Sequence, residues 1–117
     1  MTTAATIFTA VLGTAFLAAG LPKVLRTEYF RGRIRHWQLP TALLPAIGLV
    51  ELAGAALLLA GAMAGERLPA IAGASLLVAT MLGALTTHVR IADPAKELLN
   101  AGVLGALVLS DLLVVVV

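Results

Sequence analysis

The stretch TALLPAIGLVELAGAALLLAGAM, residues 41–63, decides the fold, because Glu51 is its only charged residue. At a rise of about 1.5 Å per residue, a helix of this length crosses the hydrocarbon core of a bilayer, which is about 30 Å thick. Backbone groups in lipid must form their hydrogen bonds within the segment, because no water is available there. The stretch is therefore predicted to be a transmembrane helix.

Three further apolar stretches of similar length cover residues 4–25, 68–89 and 95–117. Hydrophobic residues make up 61% of the 117 residues and charged residues only 12%, a composition that would expose too much apolar surface in water. Short connections favour antiparallel neighbours. We predict an all-α fold, an antiparallel four-helix transmembrane bundle forming one domain over residues 1–117. Since no basic residue precedes Lys23, we expect the first helix to be retained rather than cleaved as a signal peptide.

Several function classes are excluded or disfavoured by composition. The chain has no cysteine, which excludes disulfides, thiolate nucleophiles and thiol-based redox chemistry. His36 and His88 are far apart in sequence, so no compact metal motif exists and we expect no metal site. The net charge of +2 is too small to indicate nucleic-acid binding, and no phosphate loop or catalytic-triad pattern occurs.

The basic residues are distributed unevenly between the two ends of the predicted bundle. The end near Arg67 has that one basic residue, whereas the first and third loops carry seven: Lys23, Arg26, Arg31, Arg33, Arg35, Arg90 and Lys96. The positive-inside rule then predicts a multi-pass protein of the cell membrane, with the first and third loops in the cytoplasm and both termini outside.

The first loop, residues 26–38, has the pattern of an interfacial helix. Tyr29, Phe30, Ile34 and Trp37 recur at helical spacing, and the arginines lie mainly elsewhere. Aromatic residues prefer the headgroup level and Arg attracts anionic lipid. Anchoring of the chain and a dedicated binding site both fit this pattern.

Glu51 is the most informative residue for function. A carboxyl inside a span costs several kcal/mol if it is ionised and unpaired, so we expect it to face the bundle interior. Intramembrane acids commonly move protons or hold a bound molecule, and Glu51 is our candidate catalytic residue. The alternative is an interhelical hydrogen bond that only stabilises the bundle.

His88 and Lys23 are the candidate partners of Glu51. A Glu51–His88 pair in a dry interior would be able to move a proton, which makes His88 the second candidate catalytic residue. Its alternative is contact with headgroups. Lys23 either extends its ammonium to the interface or bends inward to neutralise Glu51, a reach that Pro22 would assist by kinking the first helix.

We expect Thr14, Trp37 and Asn100 to contribute to a ligand-binding pocket together with Lys23. For a threonine the alternative is a hydrogen bond to its own helix backbone. Two further expectations concern aspartates. Asp93 should cap the fourth span with Pro94 at its first position. Asp111 should be exposed at the outer interface; the alternatives are a pair with Arg67 or a place at the end of a polar pocket.

The chain resembles the DoxX-like family of small four-helix membrane proteins. The resemblance rests on Ala19-Gly20-Leu21-Pro22-Lys23, Trp37-Gln38-Leu39-Pro40, Pro45-Ala46-Ile47-Gly48, Glu51-Leu52-Ala53-Gly54, and Met81-Leu82-Gly83-Ala84 leading to His88. It implies a four-helix membrane fold with a polar site around Glu51, His88 and Lys23. The family takes its name from a subunit of a thiosulfate:quinone oxidoreductase, and relatives are linked to redox complexes.

Three functions remain open at this point. The first is binding of an apolar molecule (quinone, isoprenoid or lipid) between the helices, either alone or as a subunit of a membrane redox complex. The second is acid-catalysed isomerisation or cyclisation at Glu51, and the third is a structural role without a ligand. The expected partners are the lipid bilayer, an apolar small molecule and a membrane or redox protein. The cofactor is left open, with a quinone as one candidate.

Overall fold

The computed structural model describes all 117 residues and contains five helices and no strand. They are α1 (Thr3–Val24), α2 (Glu28–His36), α3 (Leu43–Ala64), α4 (Arg67–Arg90) and α5 (Ala95–Val116). Four of them, α1, α3, α4 and α5, are long and apolar enough to cross a membrane. The predicted all-α bundle with four spans is confirmed, and each predicted span overlaps one long helix.

The helix ends follow local sequence signals. Thr2 caps α1 by accepting a hydrogen bond from the backbone N–H of Ala5 at 3.1 Å. Gly65 ends α3 in the left-handed conformation (φ 67°), which glycine adopts without steric cost. Pro69 lies in the first turn of α4, where a missing N–H does no harm.

The long helices pack in a ring in chain order. α1 packs chiefly against α3, α3 against α4 and α4 against α5, while α5 touches α1 only lightly. Gly20 lies beside Gly48, whereas Gly13 lies beside Ala55. As the residue number increases along α1, the number of the contacted residue in α3 decreases, which is consistent with antiparallel neighbours.

The interior is narrow and the outer surface is apolar. A core cluster includes Leu12, Phe16, Leu58 and Leu77, contributed by three different helices. Many large hydrophobic side chains instead point outward, as does Met63, which is 87% exposed. A surface of this kind is stable against lipid tails rather than water, in agreement with four membrane spans.

Glycines set the closest helix contacts. A Cβ atom at Gly48 would lie 2.8 Å from the carbonyl oxygen of Gly20 and 2.8 Å from the backbone nitrogen of Val24. A Cβ atom at Gly73 would similarly lie 2.6 Å from the carbonyl oxygen of Gly54. In lipid, where apolar side chains gain nothing by leaving the solvent, such close backbone approach provides much of the helix association.

Asp111 departs from its expected exposure at the outer interface. Its carboxyl group is fully buried, and Oδ1 accepts a hydrogen bond from the Thr9 hydroxyl at 2.7 Å. This bond joins α1 to α5, which pack less closely than the other adjacent pairs of long helices. The position of Asp111 near a helix end did not reveal its burial, because its partner, Thr9, lies near the opposite end of the chain.

We predict that Gly48→Ala destabilises the bundle by about 1–3 kcal/mol, the usual cost of overpacking. The atoms in the way belong to the α1 backbone and to Val24, and the backbone cannot be displaced cheaply. Gly102→Ala is the matched control, since a Cβ atom there meets nothing within 4 Å. Thermal unfolding in detergent should show a lower Tm for Gly48→Ala only. Equal Tm values for the two variants would contradict the proposed contact.

Candidate functional site

A cavity of about 670 Å³ lies at the end of the bundle where α1 and α4 end and α3 and α5 begin. It is called the cavity from here on. α3, α4 and α5 form its walls and α2 contributes several residues along one side. The walls are mostly apolar, with side chains that include Ile47, Val50, Met81, Ala84, Ala101 and Leu104. Polar groups enter this space at points on each of the five helices.

One of those points is an ion pair between α1 and α3. Lys23 Nζ donates a hydrogen bond to Glu51 Oε1 at 2.5 Å, and both residues line the cavity. The Glu51 side chain is 1% exposed and the Lys23 side chain 13%. The second carboxylate oxygen, Oε2, is buried without a hydrogen-bond partner. The inward alternative for Lys23, considered above, is the one observed.

Helix geometry explains why these two side chains meet. Gly20 and Gly48 lie at a close approach of the α1 and α3 backbones. Lys23 and Glu51 each lie three residues after the glycine of their own helix. Side chains on a helix lean toward its N-terminus. The side chains of Lys23 and Glu51 therefore lean back toward the Gly20–Gly48 contact, where they meet.

A second polar cluster joins α2 to the connection between α4 and α5. Asp93 accepts hydrogen bonds from His36 Nε2 at 2.5 Å and from His88 Nδ1. The Asp93 side chain is buried, whereas the His36 side chain is 49% exposed. The hydrogen bond from His88 lowers the pKa of Asp93 below its ordinary value of 3.8; burial opposes this and the bond from His36 adds to it.

The cluster corrects two expectations. Asp93 does not cap α5, because its carboxylate is engaged by the two histidines and Pro94 itself occupies the capping position without a side-chain bond. Glu51 and His88 do not pair with each other, because Lys23 and Asp93 are their respective partners. Both residues nevertheless line the same cavity. With Nδ1 engaged, Nε2 is the His88 nitrogen left for a ligand.

The aromatic face of α2 covers part of the cavity. Phe30 and Trp37 both line it, with ring centroids 6.5 Å apart, and the Trp37 ring meets His88 edge-on at 6.2 Å. Arg33 reaches across to Glu97 of α5 at 3.4 Å. Trp37 Nε1, like Glu51 Oε2, is buried without a hydrogen-bond partner.

The remaining candidate residues divide between two places. Trp37 and Asn100 line the cavity with Lys23, Glu51 and His88. Thr14 is outside it: its side chain is exposed and its hydroxyl donates to the carbonyl of Ala10 at 2.9 Å. The backbone-bonded alternative for a helical threonine therefore applies to Thr14.

Sequence reasoning missed Asp93 and His36 as a linked pair, and it did not include Phe30, Arg33 or Glu97 in the pocket. The helical spacing of Phe30 and Trp37 did point to one shared face. No sequence signal pointed to Asp93, because an Asp before Pro at a helix start is commonly a cap. No group of three or more acidic or histidine side chains is arranged to hold a metal ion.

The chain belongs to the DoxX-like family, whose profile matches residues 7–110. The match covers all of α2, α3 and α4, most of α1 and α5, and every residue of the cavity. No curated protein sequence and no solved structure matches the chain. The family thus defines the class of protein, a small multi-pass membrane protein.

We predict that Asp93→Asn lowers the Tm at pH 7, since the carboxylate stabilises the fold by accepting two histidine hydrogen bonds. Because the folded-state pKa of Asp93 is depressed, this stabilisation is fully present above the ordinary value of 3.8 and is lost as the pH falls through the folded-state pKa. The difference in Tm between wild type and variant should therefore shrink on acidification below pH 3.8.

The matched control for this prediction is Glu97→Gln. Its ion pair with Arg33 is longer and partly exposed, and such pairs contribute little to stability. Calorimetry in a detergent that is stable to acid would follow both variants from pH 7 downward. A Tm difference for Asp93→Asn that is unchanged at the acid end would contradict the role given to the ionised carboxylate.

Proposed function

We propose that the protein binds an apolar molecule with a polar end group, such as a quinone, an isoprenoid or a lipid, in the cavity. The observation that carries the proposal is a largely apolar cavity of about 670 Å³ lined by a buried carboxylate with one oxygen unpartnered. Ligand sites are typically concave and mostly apolar with a few polar groups that fix orientation. Both features are present together here.

The polar end group would lie between α2 and α3. Glu51 Oε2 lacks a donor and Trp37 Nε1 lacks an acceptor, and both residues line the cavity. A buried polar atom without a partner carries a desolvation cost that a ligand would remove. A hydroxyl end group can donate to Glu51 Oε2 or accept from Trp37 Nε1, and a carbonyl end group can accept from Trp37 Nε1. Glu51 would hold the end group and His88, oriented by Asp93, would assist.

Two alternatives use the same residues differently. Acid-catalysed isomerisation or cyclisation of an isoprenoid held in the cavity would require Glu51 in its protonated form, with its unpartnered oxygen giving the proton to the substrate and taking one back as the product forms. A structural role would limit Glu51 to its ion pair with Lys23. Membership of a redox complex is suggested by the family resemblance, and the partner would then be another membrane protein.

The test is to purify the protein in mild detergent and identify copurified lipids by mass spectrometry. We expect one class of apolar molecule in the wild type and at least a tenfold loss with Glu51→Gln and with Gly83→Leu. Gly83 lines the cavity, and a Cβ atom there meets nothing within 4 Å. A leucine at this position is therefore expected to take up part of the cavity volume. This variant also leaves the Lys23–Glu51 pair intact.

The matched controls are Asp111→Asn, which changes the other buried acid of the spans, and Gly102→Leu, which adds the same side chain at an open position outside the cavity. Both should keep the ligand. Turnover of added isoprenoid that requires Glu51 would favour the enzyme. Unchanged lipid content in Glu51→Gln and Gly83→Leu would leave only the structural role.

We also propose that the α2 end of the bundle faces the cytoplasm, with both termini outside, from the basic residues of the first and third loops. The chain has no cysteine, so single-cysteine variants give an unambiguous label. An impermeant maleimide should label Glu66→Cys on intact cells and Gly32→Cys only in inverted vesicles. Both positions are exposed. The opposite pattern would reverse the proposed orientation.

A further inference from the structure

A second concave surface lies on the other side of α2, at the corner where α1 leads into α2 and α2 leads toward α3. It has a volume of about 560 Å³ and includes Arg26, Arg31, Arg35, Ile34, Thr41 and Leu44. We call it the arginine groove. It shares no residue with the cavity, and no acidic side chain lines it.

The arginines of the arginine groove have no ion-pair partner within the chain. Arg26, Arg31 and Arg35 form no salt bridge, whereas Lys23 pairs with Glu51 and Arg33 pairs with Glu97. The side-chain Nε of Arg35 donates to the backbone carbonyl of Arg31 at 3.3 Å, which leaves its other guanidinium donors free. Three unpaired guanidinium groups at one groove favour an anion as the occupant.

The base of the groove is apolar. Ile34 and Leu44 are buried beneath the arginines, with 0% and 1% exposure. Arg31, Ile34 and Arg35 share one face of α2 because they are three or four positions apart on the helix. Arg26 adopts a left-handed backbone conformation (φ 54°) in the turn before α2. Because the side chains of Ile34 and Leu44 are fully packed, the surface open to a ligand comes from the arginines, Thr41 and Ala42, all of which are exposed.

We propose that the arginine groove binds the phosphate headgroup of an anionic phospholipid. The groove lies at the end of a bundle with four membrane spans, at the level where lipid phosphates are found. Arg binds phosphate through two parallel hydrogen bonds, a geometry that Lys cannot reproduce. Free phosphate shares this chemistry, but the position of the groove at the end of the membrane spans favours the lipid as its source.

The experiment is native mass spectrometry of the full chain in detergent, titrated with phosphatidylglycerol or with phosphatidylcholine of the same acyl chains. We expect tighter binding of phosphatidylglycerol to the wild type. The double variant Arg31→Gln/Arg35→Gln should weaken that binding at least tenfold, since each basic residue near the headgroup contributes about a factor of five. Binding of phosphatidylcholine should change little.

The matched control is Arg67→Gln/Lys96→Gln, which removes the same charge at positions outside the groove. It should change phosphatidylglycerol affinity less than threefold. Arg31→Lys/Arg35→Lys keeps the charge but loses the paired hydrogen bonds, so it should give an intermediate affinity. This pair of variants also keeps the test decisive if the glutamine variant does not fold.

Three results would overturn the proposal. Equal losses in the groove and control variants would indicate a general charge effect. Equal affinity of the wild type for the two lipids would remove the headgroup preference. Displacement of phosphatidylglycerol by millimolar inorganic phosphate, with loss of that competition in the groove variant, would assign the groove to a soluble anion instead. Because the readout is independent of Glu51, these outcomes do not bear on the cavity.

Discussion

The ion pair between Lys23 and Glu51 constrains the rest of the structure. Removing two charges from water is costly, and their mutual attraction offsets this only when geometry and further hydrogen bonds are good. The geometry depends on Gly20 and Gly48, whose missing side chains let α1 and α3 approach until both charged groups reach the crossing point. Any larger side chain at the crossing would push the helices apart and leave a buried charge without its partner. The close contact of α1 with α3 and the placement of Glu51 beside the cavity are thus one arrangement.

The cavity exists because the ring of long helices is not tightly closed. α3, α4 and α5 pack in sequence, so α3 and α5 meet only indirectly, and α5 also touches α1 lightly. A gap remains at the basic end, and α2 lies along it with Phe30 and Trp37 facing inward. Polar contacts attach α2 to the opposite wall: Arg33 to Glu97, and His36 to Asp93. The short helix therefore separates two environments, with the apolar cavity on its aromatic face and the arginine groove on its basic face.

The spans and the interior position of Glu51 were predictable because they depend on local hydropathy and on the cost of an ion in lipid, both of which the sequence contains. The family, too, was identified from short motifs that the profile match now supports. Partner choice was not predictable in the same way. Glu51 had Lys23 and His88 as possible partners, and the outcome depended on which helices cross closely. Asp93 looked like a cap because its local sequence fits one. Its carboxylate instead bonds to His88, which lies five residues before it, and to His36, which lies on α2.

Glu51 and Asp111 are the two buried acids within the spans, and comparing them shows that burial alone does not mark a functional residue. Asp111 and Glu51 are equally inaccessible, and each has one oxygen engaged and one without a partner. Asp111 bonds to the neutral hydroxyl of Thr9 and joins two lightly packed helices. It lines neither the cavity nor the arginine groove. Glu51 bonds to a charged group and borders an open volume large enough for a ligand. An acid in a span therefore identifies a candidate site only when its unpartnered atom belongs to a side chain that lines such a volume, and by that criterion Glu51 qualifies where Asp111 does not.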